Sequence, residues 1–142
     1  MNSIESTIGK VIVGKILPDE DIIDAIKEMV IEHDFKSGLV NAIGALKKTT
    51  IGYFNIETKE YEFKTIEEDV ELVSCMGNVS FNQEVPIIHL HVVLGKKDYG
   101  LFGGHLSQPS IVSVTGEVFI YKINDKLMRS EDSRFGLSLL NI

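Results

Sequence analysis

The sequence predicts an α+β fold in a single domain spanning residues 1–142: a mainly antiparallel or mixed β-sheet packed with one main α-helix. Three observations predict it. Only one stretch, "LPDEDIIDAIKEMVIEHDF", places its apolar residues at helical spacing. Nearly everything after Gly38 is made of short runs rich in Val, Ile, Phe and Tyr, broken by polar or glycine turns. And 142 residues with no Pro/Gly/Ser-rich linker, repeat or low-complexity tract is the size of one ordinary domain.

The elements follow in order. The first 17 residues alternate apolar and polar, which is the period of a strand. The helix is expected at about residues 19–34. Pro18 and the acidic run Asp19, Glu20 and Asp21 suit a helix N-terminus, where free N–H groups and the dipole favour negative charge. Ile22, Ile26, Met29 and Val30 then form one apolar face, and Lys36-Ser37-Gly38 ends the helix. His33 falls in register with that face, so a buried or half-buried imidazole near the helix C-terminus is expected. Six strand-like runs follow: "GLVNAIGAL", "TTIGYFNI", "EYEFKTI", "VELVSCMGNVSF", "IIHLHVVLG" and "SIVSVTGEVFIYKI". A last strand is expected near Leu127–Arg129.

Composition narrows the function classes. The chain is 44% hydrophobic and 25% charged, enough apolar material for a core in a soluble globule. No apolar run reaches the roughly 18 residues of a membrane helix, and the start has no secretory pattern. A cytoplasmic protein with no membrane partner is the expectation. The lone Cys75 makes no internal disulfide and reads as a buried structural thiol. The net charge of −7, from 14 basic and 21 acidic residues, opposes a surface built to neutralise phosphates. The pairs Lys47-Lys48 and Lys96-Lys97 read as solvated. No phosphate loop, dinucleotide fingerprint or nucleophile elbow is present.

The chemistry concentrates in "IHLHVVLGKKDYGLFGGHL", which holds three of the four histidines. On a strand, His89 and His91 share one face while Leu90 and Val92 point to a core. If Lys96–Gly100 is a five-residue hairpin loop, His91 faces His105 directly and three imidazoles converge. A four-residue loop would put His105 on the wrong face, which a bulge at Gly103-Gly104 would correct. Three neutral imidazoles suit Zn²⁺ or another divalent metal, with a fourth position left for water or another ligand. The plainer alternative is polar decoration of a solvent-facing strand. Glu71 and Glu117 lie within strand-like runs and are the candidates for a catalytic base beside a metal-bound water. Arg129 and Asp132 are placed to pair locally.

The segments "LPDEDIIDAI", "NAIGAL", "ELVSCMGNVS", "HLHVVLG", "GGHL" and "VTGEVFIY", in that order and followed by "MRSEDSRFGLSLL", resemble the plants-and-prokaryotes conserved (PPC) domain over nearly the whole chain. The resemblance implies a homotrimer, and a metal site at His89, His91 and His105. In plants this domain accompanies AT-hook motifs in nuclear DNA-binding proteins. This chain has no such motif, and it carries Lys15 where the family often has arginine. Three function classes follow: a trimeric metal-binding protein, a DNA- or transcription-partner-binding module disfavoured by the charge, and a metal-dependent hydrolase or lyase. No small-molecule ligand is named by the residues.

Overall fold

A computed structural model describes all 142 residues. The chain runs β1 (Ile8–Ile16), α1 (Ile22–Glu32), β2 (Gly38–Asn55), β3 (Glu60–Ile66), β4 (Val70–Asn82), β5 (Val85–Gly95), β6 (Leu101–Ile123), β7 (Arg129–Asp132) and β8 (Leu137–Leu140). Every strand ladder is antiparallel. This is the mainly antiparallel sheet with one helix that the sequence predicts.

The six-stranded sheet has the order β1-β6-β5-β4-β2-β3, and β6 also pairs with β2. That extra pairing closes β6, β5, β4 and β2 into a circuit, with β1 and β3 as its outer edges. Closure hides backbone edges that would otherwise invite association. It requires long strands to bend. An extended strand of 23 residues, the length of β6, would span on the order of 75 Å, far more than a chain of this size can accommodate. The β2–β6 ladder shifts register repeatedly, first between Gly44 and Leu46. Gly44 sits at φ 151°, and a β-carbon there would lie 2.1 Å from the Thr115 carbonyl oxygen. Only glycine allows the two strands to cross so closely. The sequence reading broke β2 at Lys47-Lys48 and began the last long run at Ser110; both strands are longer, β2 continuing through the lysines and β6 starting at Leu101, because the ladder shifts register there without ending.

The helix is shorter than expected, Ile22–Glu32 rather than 19–34. Asp21 is its N-cap. One carboxylate oxygen accepts from the N–H groups of Ile23 and Asp24 at 2.9 and 3.3 Å, and the other accepts from Ser110 N–H at 2.7 Å. Asp19 and Glu20 therefore lie before the helix. Ile22, Ile26 and Val30 are buried in a core of 21 residues that includes Leu72, Leu90, Leu94 and Ile120. Ile26→Ala is expected to cost roughly 2–5 kcal/mol, the usual range for emptying such a site, measured as a lower urea midpoint at unchanged slope.

His33 corrects an expectation. It is exposed, because the helix ends one residue earlier and His33 takes a non-helical conformation as the C-cap. The expected strand at Leu127–Arg129 is also displaced, to Arg129–Asp132 in the β7–β8 hairpin. Phe81 N–H donates to the Leu127 carbonyl at 2.9 Å, which ties the start of this hairpin to the end of β4. No helix is long and apolar enough to cross a membrane.

Candidate metal centre

The β5–β6 turn settles the register. Lys96 N–H donates to the Gly100 carbonyl at 2.9 Å, Gly95 pairs with Leu101, and His91 pairs with His105. This is the five-residue loop, and it needs no bulge. The strands stay in register through Gly103 and Gly104, neither of which takes a positive φ. The glycines serve close approach instead. A β-carbon on Gly103 would lie 2.0 Å from the Val92 carbonyl oxygen, and one on Gly77 would lie 1.9 Å from that of His89. β5 is therefore held tightly between β4 and β6, with its histidines on the face away from the core.

On that face the three imidazoles converge. Ring centroids are 5.2 Å apart for His89–His91, 5.1 Å for His89–His105 and 5.4 Å for His91–His105. One potential ligand nitrogen from each ring lies within 4.8 Å of the other two. His91 is exposed, and His89 and His105 are half-buried. The other face of β5 carries Leu90, Val92 and Leu94 into the core, so packing fixes the strand that aims the rings.

His105 stands where β6 has a neighbour on each side, opposite His91 on β5 and Gly52 on β2. A side chain at Gly52 would run into the rings of Phe63 and Tyr61. Its absence admits an aromatic wall from β3. Tyr61 packs on His105 at 5.0 Å and on Phe63 and Phe54 at 5.4 and 5.3 Å.

Arg129 completes the site from the C-terminal hairpin. Its guanidinium donates to Ser80 Oγ at 2.7 Å, the Ser138 carbonyl at 2.7 Å, Asn78 Oδ1 at 3.1 Å and His89 Nδ1 at 3.1 Å. It does not pair with Asp132 as expected. That carboxylate turns to Arg134 across the hairpin turn, with contacts of 2.6–3.2 Å, which hold it down to about 2.

The electrostatics favour neutral rings at His89 and His105. Burial, then the Arg129 charge and the other two imidazoles, pushes His89 down to about 4. Burial, then His91 and Arg129, lowers His105. A neutral imidazole has the free lone pair that a metal requires.

The side chains fit a divalent ion by their donor set and by an orphan: His105 Nδ1 is buried without a hydrogen-bond partner. Buried polar atoms are almost always partnered, so an unpaired ring nitrogen inside a ring of ligands is what a coordination site leaves behind. Glu71 and Glu117 are not part of this cluster. Glu71 is exposed and pairs with Gly95, four residues beyond His91. Glu117 is exposed opposite Lys15 on the β1 side. Cys75 is buried as expected, its thiol pushed up to about 12 by that burial.

A separate groove of about 860 Å³ runs on from the turn end of β5 and β6, lined by Val73, Tyr99, Leu101 and Val114 with Lys47, Glu71 and Lys96. None of the histidines lines it.

The comparisons with known proteins agree with this geometry. The chain is similar over its whole length to a metal-containing protein from Archaeoglobus fulgidus, with 33% identity, a TM-score of 0.92 and 100% of each chain covered. It is similar to a plant- and prokaryote-conserved (PPC) protein from Pyrococcus horikoshii, with 30% identity and a TM-score of 0.90 over 100% of this chain and 98% of that one. No functionally curated protein matches the sequence significantly. The sequence profile that matches, over residues 3–124, is that of the Plants and Prokaryotes Conserved (PCC) domain, and the chain belongs to that family.

Proposed function

We propose that this chain is a metal-binding member of the family that assembles as a homotrimer and holds one divalent ion, zinc by preference, on His89, His91 and His105. The observation that carries the reading is the convergence of three imidazole nitrogens within 4.8 Å. The metal-containing relative from Archaeoglobus fulgidus supports it. Three imidazoles are a donor set for zinc, and they leave a coordination position for water or a ligand. A bound ion there would act as a Lewis acid, polarising whatever oxygen occupies that position. The protein's own contribution is to aim the three rings and to hold His89 and His105 half-buried, where burial favours their neutral form.

The trimer is supported by apolar surface outside the core. Val73, Met76, Val93, Leu101 and Val114 are exposed, at 40–68%, and they project from strands of the sheet. A small monomer seldom leaves such a surface to water. Light scattering after gel filtration is expected to give three times the chain mass of 15.8 kDa. A monomer at micromolar concentration contradicts the trimer. Zinc titration against a chromophoric chelator is expected to saturate at about one ion per chain, and no retention above that of an unfolded control contradicts the metal site.

The other two readings gain nothing from the structure. Lys47, Lys48 and Lys96, three of the four lysines in the two adjacent pairs, are ion-paired to Asp19, Glu67 and Glu68, and the net charge of −7 opposes phosphate neutralisation. A hydrolase or lyase using Glu71 or Glu117 as base receives no support from the exposed positions of those carboxylates.

A further inference from the structure

Arg129 is a buried cation with no anion beside it. Only 9% of it is exposed, and its four acceptors, Ser80 Oγ, the Ser138 carbonyl, Asn78 Oδ1 and His89 Nδ1, are all neutral. None of the chain's ion pairs contains it. Arginine is almost never buried unpaired, and unlike histidine or lysine it does not escape by losing its proton. The fold thus withdraws a permanent positive charge from water and directs it at His89, whose ring stands against those of His91 and His105.

That is a poor arrangement for the imidazoles alone. Guanidinium only donates, so Nδ1 of His89 must be the accepting nitrogen. A neutral ring has one free lone pair, and a divalent ion on the same ring would compete for it. The ion would also add two positive charges beside the guanidinium, with no carboxylate in the cluster to offset them. A negative ligand resolves both conflicts. It offsets part of the excess charge, and it gives the Nη2 donor an acceptor other than His89.

The donor set says which anion. Arg129 has five N–H groups; four are committed, leaving one free on Nη1, and the Nη2 donor to His89 is the one that can be redirected. Two parallel donors match the edge of a planar carboxylate. A phosphate site normally assembles more donors, such as a lysine or a run of backbone N–H groups, and neither is among the residues that hold Arg129. We propose that Arg129 and the three-histidine centre form one binding site for a small carboxylate, held by the guanidinium and by the open position of the metal. The inference rests on the metal reading above. It also draws the β7–β8 hairpin, which lies beyond the residues 3–124 matched by the family profile, into the functional site.

The test uses full-length protein loaded with cobalt(II), whose visible absorption reports changes at the metal, titrated with acetate and separately with acetamide, its neutral isostere. Acetate is expected to give a saturable spectral change, and acetamide to need at least about tenfold higher concentration, as expected when a charge-assisted bond becomes a neutral one. In Arg129→Met the cobalt is expected to stay bound while acetate weakens at least about tenfold. Arg129→Lys, which keeps the charge but not the fork, is expected to fall between. Equal affinity for acetate and acetamide in the wild-type protein overturns the proposal even where Arg129→Met fails to fold. So does unchanged acetate affinity in a folded Arg129→Met. Failure of the wild-type chain to retain cobalt at all brings down the metal reading first, which is a distinguishable result.

Discussion

His91→Ala is expected to lower metal affinity by more than the roughly 10–100-fold that loss of a supporting residue costs, while leaving the fold intact. His91 is the exposed member of the cluster, outside the hydrophobic core. It is also the ring directly opposite His105 and on the same strand face as His89, so its loss leaves two nitrogens that no third ring bridges. Chelator competition measures the affinity, and circular dichroism checks the fold. Thermal unfolding gives a second readout: zinc is expected to raise the melting temperature of the wild-type protein, since a ligand that binds only the folded state stabilises it, and to have much less effect on His91→Ala.

Gly103→Ala is expected to do the reverse, damaging the scaffold before the ligands. Its new β-carbon would lie 2.0 Å from the Val92 carbonyl oxygen, a contact that backbone movement alone relieves. Forcing atoms into packed space typically costs 1–3 kcal/mol and occasionally more; here the obstacle is main chain, so a loss on the order of 3 kcal/mol or greater is expected. Urea denaturation would show it as a lower midpoint, and metal per folded chain should fall as well because β5 and β6 separate. Gly104→Ala is expected to be milder. Its nearest atom is the Gly52 carbonyl oxygen at 2.9 Å, and the next neighbours are at 3.7 Å or beyond. Equal stability of the two variants would contradict the view that close strand approach is what the Gly103-Gly104 pair provides.

Much of this architecture was legible in the residues because it depends on local periodicity. The alternation of His89, Leu90, His91 and Val92 put the imidazoles on one face and the core on the other. A side-chain period of two leaves only odd or even registers, so the sequence narrowed His105 to a five-residue loop that faces it to His91 or a four-residue loop that does not; the Lys96–Gly100 bond chooses the first. The helix was visible through Ile22, Ile26 and Val30. Its ends were less so, because three successive acids before Ile22 compete for the cap, and the Ser110 N–H, distant in sequence, adds a bond to Asp21 that local pattern does not show.

What escaped sequence reading depends on contacts between distant segments. His33 follows the apolar period, but the helix stops before it and the ring turns to solvent. Arg129 has an acid three residues away and reads as its partner; the tight turn gives that acid to Arg134 instead. Ser80 and Asn78 lie one strand over from the histidines, with Asn78 directly opposite His89. They become visible as partners of Arg129 only once the hairpin is folded onto β4. Tyr61 reaches His105 from the sheet edge across a glycine that looks like any strand glycine. The continuity of β2 through Lys47-Lys48 was hidden for the same reason, since a polar pair between two apolar runs reads as a turn while the pairing with β6 carries the strand through it.

The most direct measurement is the metal content of purified, folded protein by native mass spectrometry, made on the wild-type chain and on a His89→Ala/His91→Ala double variant after equilibration with zinc. The expected result is about one ion per wild-type chain, three per trimer, and none above background in the folded double variant. Full occupancy of the double variant would contradict a site built from these histidines.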